Sequence, residues 1–189
     1  LDTFARANGM KYRQNIVNPP LPGMIFSAGA LPVVTEAVYG TEPRFVEIGN
    51  YQDVAGADAS TTRTWGYVAV KLNTALPRIV LDSSANGKGL TDYVLPGEKV
   101  SLEGDFDKHF TLRCQAGSEA DALYLFTPDI MAQYIDRAAN LDVEISGEWL
   151  FFYSPDNLVT RDPAMWVYLF SLVQTMLTKL DQWERWRAE

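Results

Sequence analysis

Between residues 64 and 72 the chain reads Thr-Trp-Gly-Tyr-Val-Ala-Val-Lys-Leu, and its side chains sort by parity. In an extended strand Val68, Val70 and Leu72 point to one side, and Trp65, Tyr67, Ala69 and Lys71 to the other. Bulk on both faces predicts a strand inside a sheet or beneath a helix. Residues 78–82 predict another strand, set apart by the break at 73–77 (Asn-Thr-Ala-Leu-Pro). Residues 35–39 and 44–51 are β-rich runs on either side of Gly40-Thr41-Glu42-Pro43, which is turn chemistry and predicts a hairpin. Phe110, Leu112 and Cys114 alternate inward along a strand at 110–114. Residues 141–145 and 149–154 flank Ser146-Gly147-Glu148, a second predicted hairpin.

Elsewhere the apolar period lengthens to that of a helix. Residues 1–8 predict a short helix ending at Gly9, which can take a left-handed backbone. Pro19, Pro20, Pro22 and Gly23 then force an extended connector. Thr127-Pro128-Asp129 is a helix start, with Thr127 as cap and Asp129 at the positive end of the dipole; the helix runs to about Ala139 and buries Ile130, Met131, Tyr134 and Ile135. Asp162-Pro163 opens a last helix reaching past Trp183, whose stripe of Trp166, Leu169, Phe170, Val173, Leu177 and Leu180 is expected to cover a sheet face. The small, polar stretches 54–62 and 83–92 are expected to be exposed loops. About seven strands, mostly hairpin-linked, predict an α+β fold: a predominantly antiparallel sheet, one inserted helix, and a long C-terminal helix packed on the sheet.

Composition narrows the setting. At 189 residues and 47% hydrophobic content the chain is expected to form one domain, residues 1–189, with one sizeable core. A net charge of -8, with no run of Lys or Arg, argues against nucleic acid as a partner. Cys114 is the single cysteine, which removes an internal disulfide and any cysteine-based zinc centre. No window is apolar for the roughly 18 or more residues of a membrane span, and the chain begins at Leu1 instead of Met. A soluble domain excised from a longer protein is the expectation.

The order of motifs resembles a family of uncharacterised bacterial proteins, common in actinobacteria, that pair such a domain with hydrophobic segments. The residues carrying the resemblance are Leu21-Pro-Gly-Met-Ile-Phe26, Gly49-Asn-Tyr51 with Trp65-Gly-Tyr-Val-Ala-Val70, and Leu76-Pro77 followed by Ile79-Val-Leu81. They continue with residues 102–110, Phe126-Thr-Pro-Asp129 and Asp142-Val-Glu-Ile145. The resemblance implies a membrane-associated parent protein, anchored by a segment outside this chain, and supplies no catalytic residues.

Chemistry concentrates at residues 102–114 (Leu-Glu-Gly-Asp-Phe-Asp-Lys-His-Phe-Thr-Leu-Arg-Cys), which hold the only histidine and only cysteine. Glu103, Asp105, Asp107 and His109 share parity, but on one strand neighbours would stand about 6.5–7 Å apart, too far to close on one ion. A helical turn over 105–109 is the more coherent reading: Asp105 caps it, and Phe106 and Phe110, four apart, enter the core. Cys114 then lies on the buried parity, and no Gly-x-Ser-x-Gly elbow occurs. Asn86-Gly-Lys-Gly89 lacks the spacing of a phosphate loop. Trp183 and Trp186 sit in a charged tail (Asp181-Gln-Trp-Glu-Arg-Trp-Arg187), where tryptophan marks either an interface, with protein or lipid, or a continuation of the core stripe. The sequence thus points to a non-enzymatic domain binding a protein or small ligand, without metal or cofactor. The alternative is a hydrolase or metal-assisted enzyme using Glu103, Asp105, Asp107 and His109.

Overall fold

The computed structural model describes residues 1–27, 29–55, 61–87, 90, 97–102 and 104–188. Helix α1 (Asp2–Ala7) ends at Gly9, whose φ of 69° is the predicted left-handed turn. It is followed by β1 (Lys11–Val17), a 3-10 turn at Met24–Ser27, β2 (Ala30–Gly40) and β3 (Val46–Ala55). Then come β4 (Thr61–Ser83), β5 (Glu98–Val100), α2 (Phe106–His109) and β6 (Phe110–Cys114). The chain closes with α3 (Glu119–Leu125), α4 (Pro128–Arg137), β7 (Asp142–Ser154) and α5 (Pro163–Ala188). This is the predicted α+β class: all strand pairs are antiparallel, in a seven-stranded sheet ordered β1-β2-β3-β4-β6-β5 with β7 also on β4.

β4 organises the sheet. Residues 66–70 pair with both β3 and β7, and residues 79–81 with both β6 and β7. A strand has two edges, so β3 and β6 occupy one edge in succession while β7 runs along the other. Two sequence expectations change here. The break at 73–77 does not separate two strands, and Ser146-Gly147-Glu148 does not turn a hairpin: 61–83 and 142–154 are each one strand. The reason is that the two irregularities face each other. Leu76 pairs with Gly147 between register shifts on both sides, and Gly147 takes a φ of 55°. Both strands therefore bulge and bend together without losing their ladder.

Parity divides the core as the alternation of 64–72 predicts. Val68, Val70 and Leu72 join Ile79 and Leu81 beneath α3, α4 and α5. Trp65, Tyr67 and Ala69 face the other way with Tyr51, Phe151 and Tyr153. That second face is covered by the proline-rich connector, whose Leu21, Met24 and Ile25 are buried on it. Phe26 stands edge-on to Tyr51 and Tyr67 at 4.9 and 5.0 Å.

The helix starts follow their caps with one variation. The Asp162 carboxylate accepts the Ala164 N–H at 2.9 Å, the predicted cap of α5. At α4, Pro128 occupies the first turn, but the Thr127 hydroxyl donates to Asp129 at 2.6 Å and caps no backbone group. The buried stripe of α5 is Trp166, Leu169, Val173, Met176, Leu180 and Trp183, alternating steps of three and four. Phe170 is off its centre and exposed. Asn50 places the start of α5: its amide oxygen accepts from the N–H groups of Leu158 and Val159, and its nitrogen donates to the Val159 carbonyl. The expectation of one inserted helix becomes two, α3 and α4, besides the single turn α2.

Candidate functional site

The histidine–carboxylate stretch folds as a turn feeding a strand. Phe106 and Phe110 are buried and stacked at 4.9 Å, and Cys114 lies inward, where burial pushes its thiol up. Neither acid caps the turn through its side chain. Asp105 makes no cap; its carboxylate accepts from Lys108 Nζ at 2.6 Å, which holds it below the usual range. Asp107 instead accepts from the Ser101 hydroxyl at 2.6 Å and the Leu102 N–H at 3.1 Å, tying the turn to the chain before it. His109 is partly exposed, and its carbonyl accepts the Ser84 N–H at 2.8 Å. Glu103 lies outside the described residues, as do Lys88 and Gly89 of the glycine-rich stretch and parts of both predicted loops. Among the described residues, no three His, Cys, Asp or Glu side chains are grouped to hold a metal ion.

Three carboxylates that the sequence did not single out are buried on the connector side of the sheet. Glu47 accepts from Arg13 and, at 2.5 Å, from the Tyr67 hydroxyl, whose own ionisation is pushed up by burial and by Glu47. Asp53 is gripped by both Arg63 Nε and a terminal nitrogen, at 2.9 and 2.5 Å. Glu144 accepts from the Met24 N–H at 2.8 Å, Tyr153 at 2.6 Å and Arg78 at 3.2 Å. Burial raises the Glu144 carboxyl despite these partners. Each carboxylate is already countered by an arginine and a tyrosine, which suits fixing β1, β3, β7 and the connector to one another better than proton transfer.

Two open cavities lie among the described residues: one of about 390 Å³ lined by Ser101, Leu102, Leu123, Phe126 and Met131, and a groove with more polar side chains between α4 and α5. Asp129, Ile130 and Gln133 form one wall of that groove, of about 290 Å³. Gln174, Thr175, Thr178, Lys179 and Gln182 of α5 form the other. The Thr127 hydroxyl keeps Asp129 ionised by lowering its carboxyl, with a smaller contribution from Lys179. Gln133 and Thr175 also line an adjoining niche of about 10 Å³, whose floor includes Tyr134 and whose rim includes Arg137 and Tyr168.

The two C-terminal tryptophans have different environments. Trp183 is buried (3% exposed), and its indole N–H donates to the equally buried Asp121 of α3 at 2.9 Å. Arg187 lies 3.4 Å from the same carboxylate. Trp186 is 39% exposed and stacks on Tyr124 of α3 at 4.6 Å with an interplanar angle of 12°. Lys179 Nζ sits 4.9 Å over the Tyr124 ring, and the Tyr124 hydroxyl donates to the Gln182 carbonyl at 3.3 Å. This aromatic stack therefore adjoins the Lys179–Gln182 end of the groove. Helical spacing alone could not find it, because half of it belongs to α3.

No protein-family model matches the chain, and no curated protein matches it in sequence. Its fold is similar to that in the crystal structure of the mycobacterial trehalose monomycolate transport factor A, TtfA, with a TM-score of 0.63. The similarity covers 95% of this chain and 91% of that one at 12% sequence identity, which shows a shared fold. A mycobacterial neighbour is in keeping with the actinobacterial resemblance of the motif order. No helix among the described residues is long and apolar enough to cross a membrane.

Proposed function

We propose that this chain is a non-enzymatic binding domain of a membrane-associated bacterial protein, holding a ligand or protein partner during transport. The observation that carries this reading is the likeness of fold, along nearly the whole of both chains, to a trehalose monomycolate transport factor. The engagement of Asp105 and Asp107 with separate local partners, away from a common centre, supports a binding role over a hydrolytic one. A transport role asks only that a ligand or partner be recognised and released unchanged.

The test uses trehalose monomycolate, the molecule in the neighbour's title, in detergent micelles with the purified 189-residue chain. The expected result is co-elution of chain and glycolipid beyond that seen with empty micelles, with the glycolipid recovered intact by mass spectrometry. Cleavage of the glycolipid, abolished by His109→Ala, would establish the hydrolase instead. Absence of co-elution would remove the glycolipid as ligand and, if no protein partner is captured by cross-linking in the native envelope, the binding role with it.

A further inference from the structure

The groove between α4 and α5 combines three features of a sugar site, and we propose that it binds a neutral mono- or disaccharide unit, free or as the head of a glycolipid. This deepens the binding-domain reading and rests on it. The first feature is the lining. Gln133, Gln174 and Gln182 each carry a donor and an acceptor, which matches a sugar hydroxyl's need for both. Asp129 and Lys179 bring opposite charges to the same walls, so no cluster of one sign selects an ion. At about 290 Å³ the groove stands at the small end of ligand sites, roughly 300–1,000 Å³, where one or two sugar rings belong.

The second feature is an incomplete hydrogen bond. Tyr134 is 1% exposed, and its hydroxyl has no partner among the described residues. A buried hydroxyl left unpaired is costly, so it needs an explanation. The niche that the Tyr134 side chain helps to line, of about 10 Å³, is the size of one oxygen-bearing group. A ligand hydroxyl entering from the groove past Gln133 and Thr175 completes the bond.

The third feature is the platform. One face of the Trp186 indole is taken by Tyr124, and the side chain remains 39% exposed beside Gln182. The apolar C–H face of a sugar ring stacks on such an indole while its hydroxyls turn toward the amides. Lining, floor and platform thus address different parts of one molecule.

The experiment is a titration of the ¹⁵N-labelled chain with free trehalose and glucose, with inorganic phosphate as an ionic control and trehalose monomycolate micelles as a separate arm. The expected result is saturable shifts of the Gln133, Gln174 and Gln182 side-chain amides and the Trp186 indole N–H, with a Kd on the order of 1 mM. Tyr134→Phe should leave the urea midpoint unchanged or higher yet weaken binding about 3–10-fold, which a purely structural hydroxyl would not do. Trp186→Ala, at an exposed position, should weaken it by about tenfold. The proposal is overturned if neither saccharide gives saturable shifts, if the shifts map outside the groove, if phosphate shifts it as strongly, or if both variants bind like the parent. Glycolipid held with the groove undisturbed would remove this inference and keep the binding domain. Groove shifts with free trehalose, alongside enzymatic cleavage of the glycolipid, would do the reverse.

Discussion

Asp142→Asn should flatten the pH dependence of stability. The Asp142 carboxyl is buried at the start of β7, where Oδ1 accepts from the Ser83 N–H and Asn86 Nδ2, each at 2.8 Å. Its Oδ2 is buried with no partner among the described residues. Burial pushes this carboxyl up from 3.8 to about 8, helped by the nearby Asp82 and opposed by the Ser83 and Asn86 hydrogen bonds. The folded chain therefore keeps a proton that the unfolded chain releases. Stability from this group is complete below about pH 4, falls as pH rises through the window to about 8, and is flat beyond. Between 3.8 and about 8, at about 1.4 kcal/mol per tenfold change in proton binding, the full loss is on the order of 5 kcal/mol. Asparagine keeps the Oδ1 acceptor and cannot ionise. Urea unfolding of both proteins between pH 4 and 9 gives the measurement, and using the difference between them cancels every other titrating group. Asp142→Asn should be close to neutral at pH 4 and more stable than the parent by several kcal/mol at pH 9. Parallel curves would show that Asp142 is ionised in the folded state at neutral pH and would refute the reasoning.

Trp183→Phe should cost about 1–3 kcal/mol, since it removes the indole donor to buried Asp121 while keeping an aromatic ring in the stripe; an unchanged urea midpoint would show that Arg187 alone satisfies that carboxylate. Two glycines separate crowding from backbone strain. A Cβ at Gly66 would stand 2.2 Å from the Asp156 carbonyl oxygen, so Gly66→Ala should lose more than about 3 kcal/mol in thermal unfolding. Gly147→Ala meets nothing within 4 Å and pays only for its positive φ, about 1–2 kcal/mol, and equal losses at the two positions would contradict this distinction.

How far the sequence carried varies with the range of the physics involved. Alternation at 64–72 reported a strand covered on both faces, because side-chain parity is a local property of extended backbone. The same local signals misread 73–77 and 146–148. Proline and glycine mark where a chain bends; whether it then reverses depends on the strand beside it, and here each bend matches the other. Helix α3 is short, and its buried Ala122 and Leu125 give too few apolar repeats to detect. The turn at 105–109 is legible through the spacing of Phe106 and Phe110, while the loss of the Asp105 cap and the tie from Asp107 to the preceding chain depend on where Ser101 and Leu102 lie. The α4–α5 groove was hidden for a related reason: its glutamines look like ordinary solvated helix residues until Tyr134 and the Tyr124–Trp186 stack are seen beside them.

The shared central strand also sets an order on biosynthesis. β4 leaves the ribosome long before β7, yet residues 66–81 depend on β7 for one whole edge. Until Asp142 and the residues after it emerge, Val68, Val70, Ile79 and Leu81 belong to a strand with open backbone donors and acceptors along that side, a template for pairing with another chain. Expression fragments that stop short of β7 should therefore collect in inclusion bodies, whereas the same fragments supplied with a separate peptide spanning 142–154 have the missing edge to recruit.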